Sequence, residues 1–332
     1  MRVTNKMLSN NFLRDMRTNL TNMNKIQGQM TSGKQITRPS DDPFKASRIM
    51  QMYSDIEANK QYNSNIHNSI NSLDTTDTAL GQVGDVVGRI EELLVSAGNA
   101  GYGSEQKQAI KDEINQKIGE ISQILNTSFD GKYIFGGTRG TTKPTETKVG
   151  GAVNLNTELV YSKIGGGELV GIDLTDVTKP ATIEYNQINS KLLVEISQGV
   201  TMEYNVTASQ VINYGTGDNN LMKLLANITS HLDSDVASEN AKLTNEDLIG
   251  IKAAMTNVLK VRSEVGSKQN RMESAESRNI DANFNMTEIL SRTEDIDITE
   301  TMMEYATMQT IYMASLQTSA KVIQPSLLDY LR

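Results

Sequence analysis

Toward both ends of the chain, apolar residues recur in alternating steps of three and four. In the first run Leu13, Met16, Leu20, Met23 and Met30 keep the rhythm, with Gln27 in the remaining slot. That spacing is a coiled-coil seam and predicts a helix. Much of its other face is Asn, Thr, Lys and Arg, so the helix is marginal alone and needs a partner. A longer run follows through Ile49, Met52, Ile56, Ile66, Ile70, Leu73 and Leu80, with Asn59, Asn63 and Asp77 in seam positions. Its phase slips between Leu80 and Val83 and resumes through Val87, Ile90, Leu94 and Ala97. A third helix carries Ile110, Ile114, Ile118, Ile121 and Leu125. The Gly-rich break between these two predicts an antiparallel helical hairpin.

From about Thr141 to Gly217 the period changes to two. "ELVYSKI", "ELVGIDL", "ATIEYN", "KLLVEIS" and "VTMEYNV" are short β-branched runs between turn residues, and each predicts a strand. "NNLMKLLANITSHLDS" predicts one short helix beside them. Helical spacing returns near Asn245 through Ala254, Val258, Val261, Val265, Met272, Ala275, Ala282, Met286, Ile289 and Ile296, with Lys268, Asn279 and Thr293 between. A last run passes Met302, Ala306, Met313, Leu316, Ala320, Ile323 and Leu327. The predicted fold is mainly α with an inserted β-rich domain. Its N- and C-terminal segments pair as an elongated antiparallel helical bundle, because neither buries its stripe alone.

The stretch "SGKQITRPSDDPFKAS" (Ser32 to Ser47) interrupts the first two helices. Gly33 suits a C-cap that needs positive φ. Pro39 and Pro43 push the residues before them out of the α region. Asp42 suits the N-cap, with Pro43 at the first helical position, and Asp41 adds negative charge at the same helix start. The expected helix stop and cap residues are therefore Gly33, Pro39, Asp42 and Pro43.

Composition narrows the function classes. A chain of 332 residues exceeds what one core usually supports. A net charge of −8 argues against a nucleic-acid partner. No window is apolar enough to insert in a membrane, and the N-terminus lacks a signal-peptide core, so export would need another route. The absence of cysteine excludes disulfides and thiol chemistry, and 16 methionines without a tryptophan suit narrow helix seams. His67 and His231 fall in different predicted domains, which argues against a metal site. "GTRGTTK" and "GGGELVG" complete no phosphate-binding motif. Asp41 and Asp42 read as caps rather than a catalytic pair. No catalytic, cofactor-binding or metal residue is predicted.

The segments "MRVTNKM", "SGKQITRPSDDP", "FDGKYIFGGT" and "YMASLQTSAKVIQPSLLDYL" fall in order along the chain. Together they resemble the flagellin superfamily, and within it the hook–filament junction branch. The resemblance covers roughly residues 1–140 and 245–332. It implies a structural, non-enzymatic subunit of the bacterial flagellum that is secreted without a cleaved signal. The implied partners are the flagellar type III export apparatus and an export chaperone, the hook-side junction protein (hook-associated protein 1), flagellin, and other copies in a ring. It also implies terminal assembly helices at 1–40 and 300–332, a helical bundle domain at 41–140 and 246–299, and an outward-facing β-rich insertion at 141–245. On this reading the assembly contacts are Met7, Leu13, Met16, Leu20, Met313, Leu316, Ile323, Leu327 and Leu331. The alternatives are a filament subunit, or an adhesion or carbohydrate-binding module displayed in the insertion.

Overall fold

The computed structural model describes residues 5–98, 103–150, 156–215, 219–234 and 236–322. It divides into two compact units, Met1–Asn59 with Ile280–Arg332, and Lys60–Asn279. The boundaries fall inside the two longest helices, α2 (Pro43–Ala97) and α8 (Leu248–Glu294).

In the 60–279 unit, α2 and α8 pack with α3 (Ser104–Leu125) around one core. Leu80, Ile90 and Leu94 of α2, Ile114 and Ile118 of α3, and Val258, Val265 and Met272 of α8 belong to it. The predicted phase slip after Leu80 is absent. The buried row runs without a break through Ile66, Ser69, Leu73, Thr76, Leu80, Val83, Val87, Ile90 and Leu94. Ser69 and Thr76 are polar occupants of apolar slots. Their hydroxyls donate to the carbonyls of Asn65 and Ser72, 2.8 Å away in each case, so neither needs a partner from another helix. Two of the polar seam residues meet, as Asn279 Nδ2 donates to Asn63 Oδ1 at 3.1 Å and to the Ile196 carbonyl at 2.8 Å. Asp77 accepts a two-pronged contact from Arg262 at 2.7 and 3.0 Å.

The strand-bearing segment is more mixed than its period-two pattern suggests. β1 (Ser128–Phe129) and β2 (Lys132–Tyr133) form a minimal hairpin over Asp130-Gly131. β3 (Thr145–Val149) pairs antiparallel with β4 (Thr157–Tyr161), and β5 (Leu193–Ser197) with β6 (Val200–Glu203). Three helices share the segment: α4 (Pro180–Ile188), α5 (Ala208–Ile212) and α6 (Leu221–Leu232). Thus "ATIEYN" is helical, not a strand. Pro180 opens α4, and Thr182, Tyr185 and Ile188 are buried at a helical step of three. Burial of that face outweighs the β-branched composition. "ELVGIDL" forms no strand and contributes a single bridge, Glu168 to Ser162. The helix expected in "NNLMKLLANITSHLDS" is α6. Beyond it, α7 (Ala237–Lys242) and a π-helical turn at Leu243–Asp247 lead into α8.

In the other unit, α1 (Asn5–Ser32) pairs with α9 (Ile298–Val322). In the same unit, Ile49, Met52 and Ile56 of α2 bury against Leu290 of α8. The sequence pattern points to Ile289 at that place, but the chain buries Leu290 and leaves Ile289 exposed. The two neighbours are both aliphatic, so spacing alone favours the wrong one.

Candidate functional site

The candidate site is the pair of terminal helices and the joint from which both arise. α1 stops at Gly33, whose φ is +72° and whose N–H donates to the Gln29 carbonyl at 2.8 Å. A side chain at this left-handed position is strained, so Gly33→Ala is expected to cost about 1–2 kcal/mol. Faster proteolysis within α1, with the 60–279 unit unaffected, is the measurable sign. The chain then turns over Pro39, with Asp41 N–H donating to the Arg38 carbonyl at 2.9 Å. Pro39 occupies the second position of this turn, where its fixed φ is an advantage. Asp41 closes the turn from the other side, its Oδ2 accepting the Arg38 N–H at 3.0 Å. α2 restarts at Pro43, and Asp42 Oδ1 accepts the N–H groups of Phe44 and Lys45, both at 3.1 Å.

The C-terminal side repeats this design. α8 ends at Glu294, and Asp297 Oδ1 accepts the N–H groups of Thr299 and Glu300 at 2.8 and 3.1 Å to open α9. The two stops are tied by backbone. Gln35 N–H donates to the Glu294 carbonyl at 2.6 Å, and Ile296 N–H to the Gly33 carbonyl at 3.1 Å. Glu294 is buried, with Lys34 Nζ at 2.6 Å from one carboxylate oxygen and Tyr53 Oη donating to the other at 2.7 Å. The hydrogen bond that Lys34 donates to the Glu294 carboxylate pushes its ammonium above the ordinary value, with Tyr53 adding to it. A raised lysine pKa contributes stability at every pH below 10.5 and loses it only as pH rises past the folded value. The tie therefore holds throughout the neutral range.

Because α1 runs into the joint and α9 runs out of it, the two helices pair antiparallel. The half-buried or buried row on α1 is Phe12, Met16, Asn19, Met23, Ile26 and Met30. On α9 it is Thr301, Tyr305, Met308, Tyr312, Ser315 and Ser319. Each row steps by three and four, as facing coiled-coil seams do. On α1 this row shares Met16, Met23 and Met30 with the apolar stripe seen in the sequence, while on α9 it lies beside that stripe. Leu13 and Leu20 stay exposed, and the α9 stripe of Met302, Met313 and Leu316 is turned outward, with Met313 53% and Leu316 46% exposed. Met7 is also exposed, while Met16 is half-buried in the seam row. Ile323, Leu327 and Leu331 lie outside the described residues.

The joint residues Lys34, Tyr53 and Glu294 escape sequence reasoning, since contacts between residues so far apart leave no local pattern. The one signal is "TEDIDIT", where Asp297 precedes a helical run as Asp42 does. Elsewhere, His67 Nε2 lies 2.9 Å from Glu276, and His231 sits between Asp247 and Glu239. Among the described residues no group of three or more side chains is arranged to hold a metal ion. None of the described helices is long and apolar enough to cross a membrane.

Two family models match the chain. The bacterial flagellin N-terminal helical region matches residues 3–139, and the bacterial flagellin C-terminal helical region matches residues 248–331. Among similar proteins, the flagellar hook-associated protein 3 of Escherichia coli K12 is 25% identical over 317 residues, which is 95% of each chain. A flagellin of Clostridium tyrobutyricum is 23% identical over 357 residues, covering 92% of this chain and 94% of its own. Among solved structures, flagellar hook-associated protein 3 from Legionella pneumophila superposes with a TM-score of 0.57 at 13% identity. It covers 74% of this chain and 98% of its own.

Proposed function

The chain belongs to the bacterial flagellin family, and from that premise we propose that it is the junction subunit of the flagellum, joining the hook side to the filament. The observation that carries the reading is the outward apolar stripe on the paired terminal helices. Met302, Met313 and Leu316 of α9 and Leu13 and Leu20 of α1 face solvent in the single chain. Exposed methionine and leucine at helical spacing are what a neighbouring helix would cover. The pair is long, narrow and thinly buried, which suits a part that gains its packing on assembly.

In this reading residues 1–40 and 300–332 are the assembly helices, and Met7, Leu13, Met16, Leu20, Met313, Leu316, Ile323, Leu327 and Leu331 make the contacts. Residues 41–140 and 246–299 form the bundle domain, and 141–245 face outward. The partners are hook-associated protein 1 on the hook side, flagellin on the filament side, and copies of the chain itself. Export proceeds through the flagellar type III apparatus with a dedicated chaperone, and a chain without cysteine is suited to leaving unfolded. The role is mechanical and needs no catalytic group. Cells lacking the chain are expected to keep their hooks and lose stable filaments. Full-length filaments that stay attached in such cells overturn the reading.

A further inference from the structure

We propose that a groove between α2, the β1–β2 hairpin and the start of β5 binds a short neutral oligosaccharide. The groove has a volume of about 700 Å³, in the range of small-molecule sites, and lies wholly in the 60–279 unit. It uses no residue of α1 or α9, so it goes beyond the assembly role and does not depend on it.

Much of the polar lining is unspent. Along the same stretch of α2, Asn65, Ser69, Asp74, Thr76 and Asp77 all have partners within the chain. The side chains of Asn68 and Ser72, one turn apart and so on one face, have none among the described residues. The hydroxyls of Tyr133 and Tyr204, which also line the groove, are without a partner there too. Both tyrosines are held by backbone, Tyr133 N–H donating to the Gly140 carbonyl at 2.8 Å and Tyr204 N–H to the Leu192 carbonyl at 3.2 Å. Burial pushes the Tyr204 phenol above its ordinary value, so it stays neutral and can both donate and accept. Leu192 and Tyr204 are thus a bonded pair at the end of the β5–β6 ladder. The N–H and C=O of Leu193, the next residue and part of the lining, therefore point away from β6.

These groups select the class of ligand. Phe129, Tyr133 and Tyr204 offer aromatic rings, while an amide, hydroxyls and a peptide unit offer donors and acceptors side by side. A pyranose ring has the matching surfaces, an apolar C–H face and a rim of hydroxyls. An anionic ligand is not favoured, because the charged lining is Asp130 and Lys132, one of each sign. A lipid tail would bury these polar groups without partners. An added peptide strand lacks room to pair. Asn65 Nδ2 takes the Glu195 carbonyl at 3.4 Å, which leaves Leu193 as a single residue of open edge. The site is also preformed, since the tight turn at Asp130 and Gly131, with φ of +51° and +72°, fixes the hairpin that carries Phe129 and Lys132.

The test applies fluorescently labelled full-length chain to an array of neutral glycans, acidic glycans and peptides. Retention on neutral glycans is expected, and the best of them is then titrated by calorimetry. Asn68→Ala and Tyr204→Phe each remove one polar group from an exposed or half-buried side chain, so the melting temperature is expected to hold. Each is expected to weaken binding about three- to tenfold, and the two together by more than about tenfold. No retention, retention on acidic glycans or peptides alone, or unchanged affinity in either variant overturns the proposal. Cells carrying both substitutions are expected to build normal flagella. Detached filaments would place the groove in an assembly contact and overturn its assignment to a glycan. Failure of the junction role leaves the array and titration results standing.

Discussion

Met313→Asp combined with Leu316→Asp is expected to leave the purified chain folded with an unchanged melting temperature and to abolish its incorporation into flagella. Both side chains are about half exposed in the single chain. Surface substitutions of this kind usually shift stability by no more than about 0.5 kcal/mol. In an assembled layer the same positions would be covered, and each buried, unpaired carboxylate costs several kcal/mol. The two effects differ by an order of magnitude, so stability and assembly separate cleanly. The conservative pair Met313→Leu with Leu316→Met is expected to restore incorporation, because volume and polarity are kept. Normal incorporation of the aspartate double variant would remove α9's outward stripe from the account. A large fall in melting temperature would instead mean that these residues pack within the chain.

Gly137→Ala is expected to be the most damaging single-methyl change in the 60–279 unit. Gly137 has φ +59°, and a Cβ there would stand 2.4 Å from the Gln187 carbonyl oxygen and 2.5 Å from that of Ile188. Those carbonyls end α4, and Thr138 satisfies one of them with its N–H at 3.0 Å and its hydroxyl at 3.1 Å. Just upstream, fully buried Phe135 accepts the Ala208 N–H at 2.9 Å. The "YIFGGT" segment is thus a dock that clasps the inserted residues by backbone contact. Left-handed strain of about 1–2 kcal/mol and an overpacking cost of about 1–3 kcal/mol add to a loss of about 2–5 kcal/mol. Gly119→Ala gives the contrast. It lies within α3 with open space where a Cβ would go, and is expected to gain about 0.5–1 kcal/mol. Denaturant titration of both variants measures the difference, and equal midpoints would contradict the dock.

Sequence and structure agree where periodicity is carried by apolar side chains. The long helices, the stop at Gly33 and the restart at Asp42 and Pro43 have local causes, so they could be read locally. The slip after Leu80 did not exist, because Ser69 and Thr76 fill core slots by bonding to their own helix. α4 looked like a strand because Thr182 and Ile183 are β-branched, whereas its burial pattern is helical. At the terminal helices the apolar stripe was visible, but its direction was not. The pair turns Phe12, Met23 and Ile26 of α1 and Tyr305 and Tyr312 of α9 inward, and leaves Leu13, Met313 and Leu316 outside. On α9 the neighbouring heptad position faces the partner within the chain. On α1 the inward row keeps Met16, Met23 and Met30 of the stripe and leaves out Leu13 and Leu20. The joint itself, with Lys34, Tyr53 and Glu294, joins residues more than two hundred positions apart. No short-range pattern encodes it.

The junction role is tested most directly by locating labelled chain on intact flagella. A single narrow band at the hook end of each filament is the expected result. Label distributed along the whole filament would contradict it and mark the chain as a filament subunit.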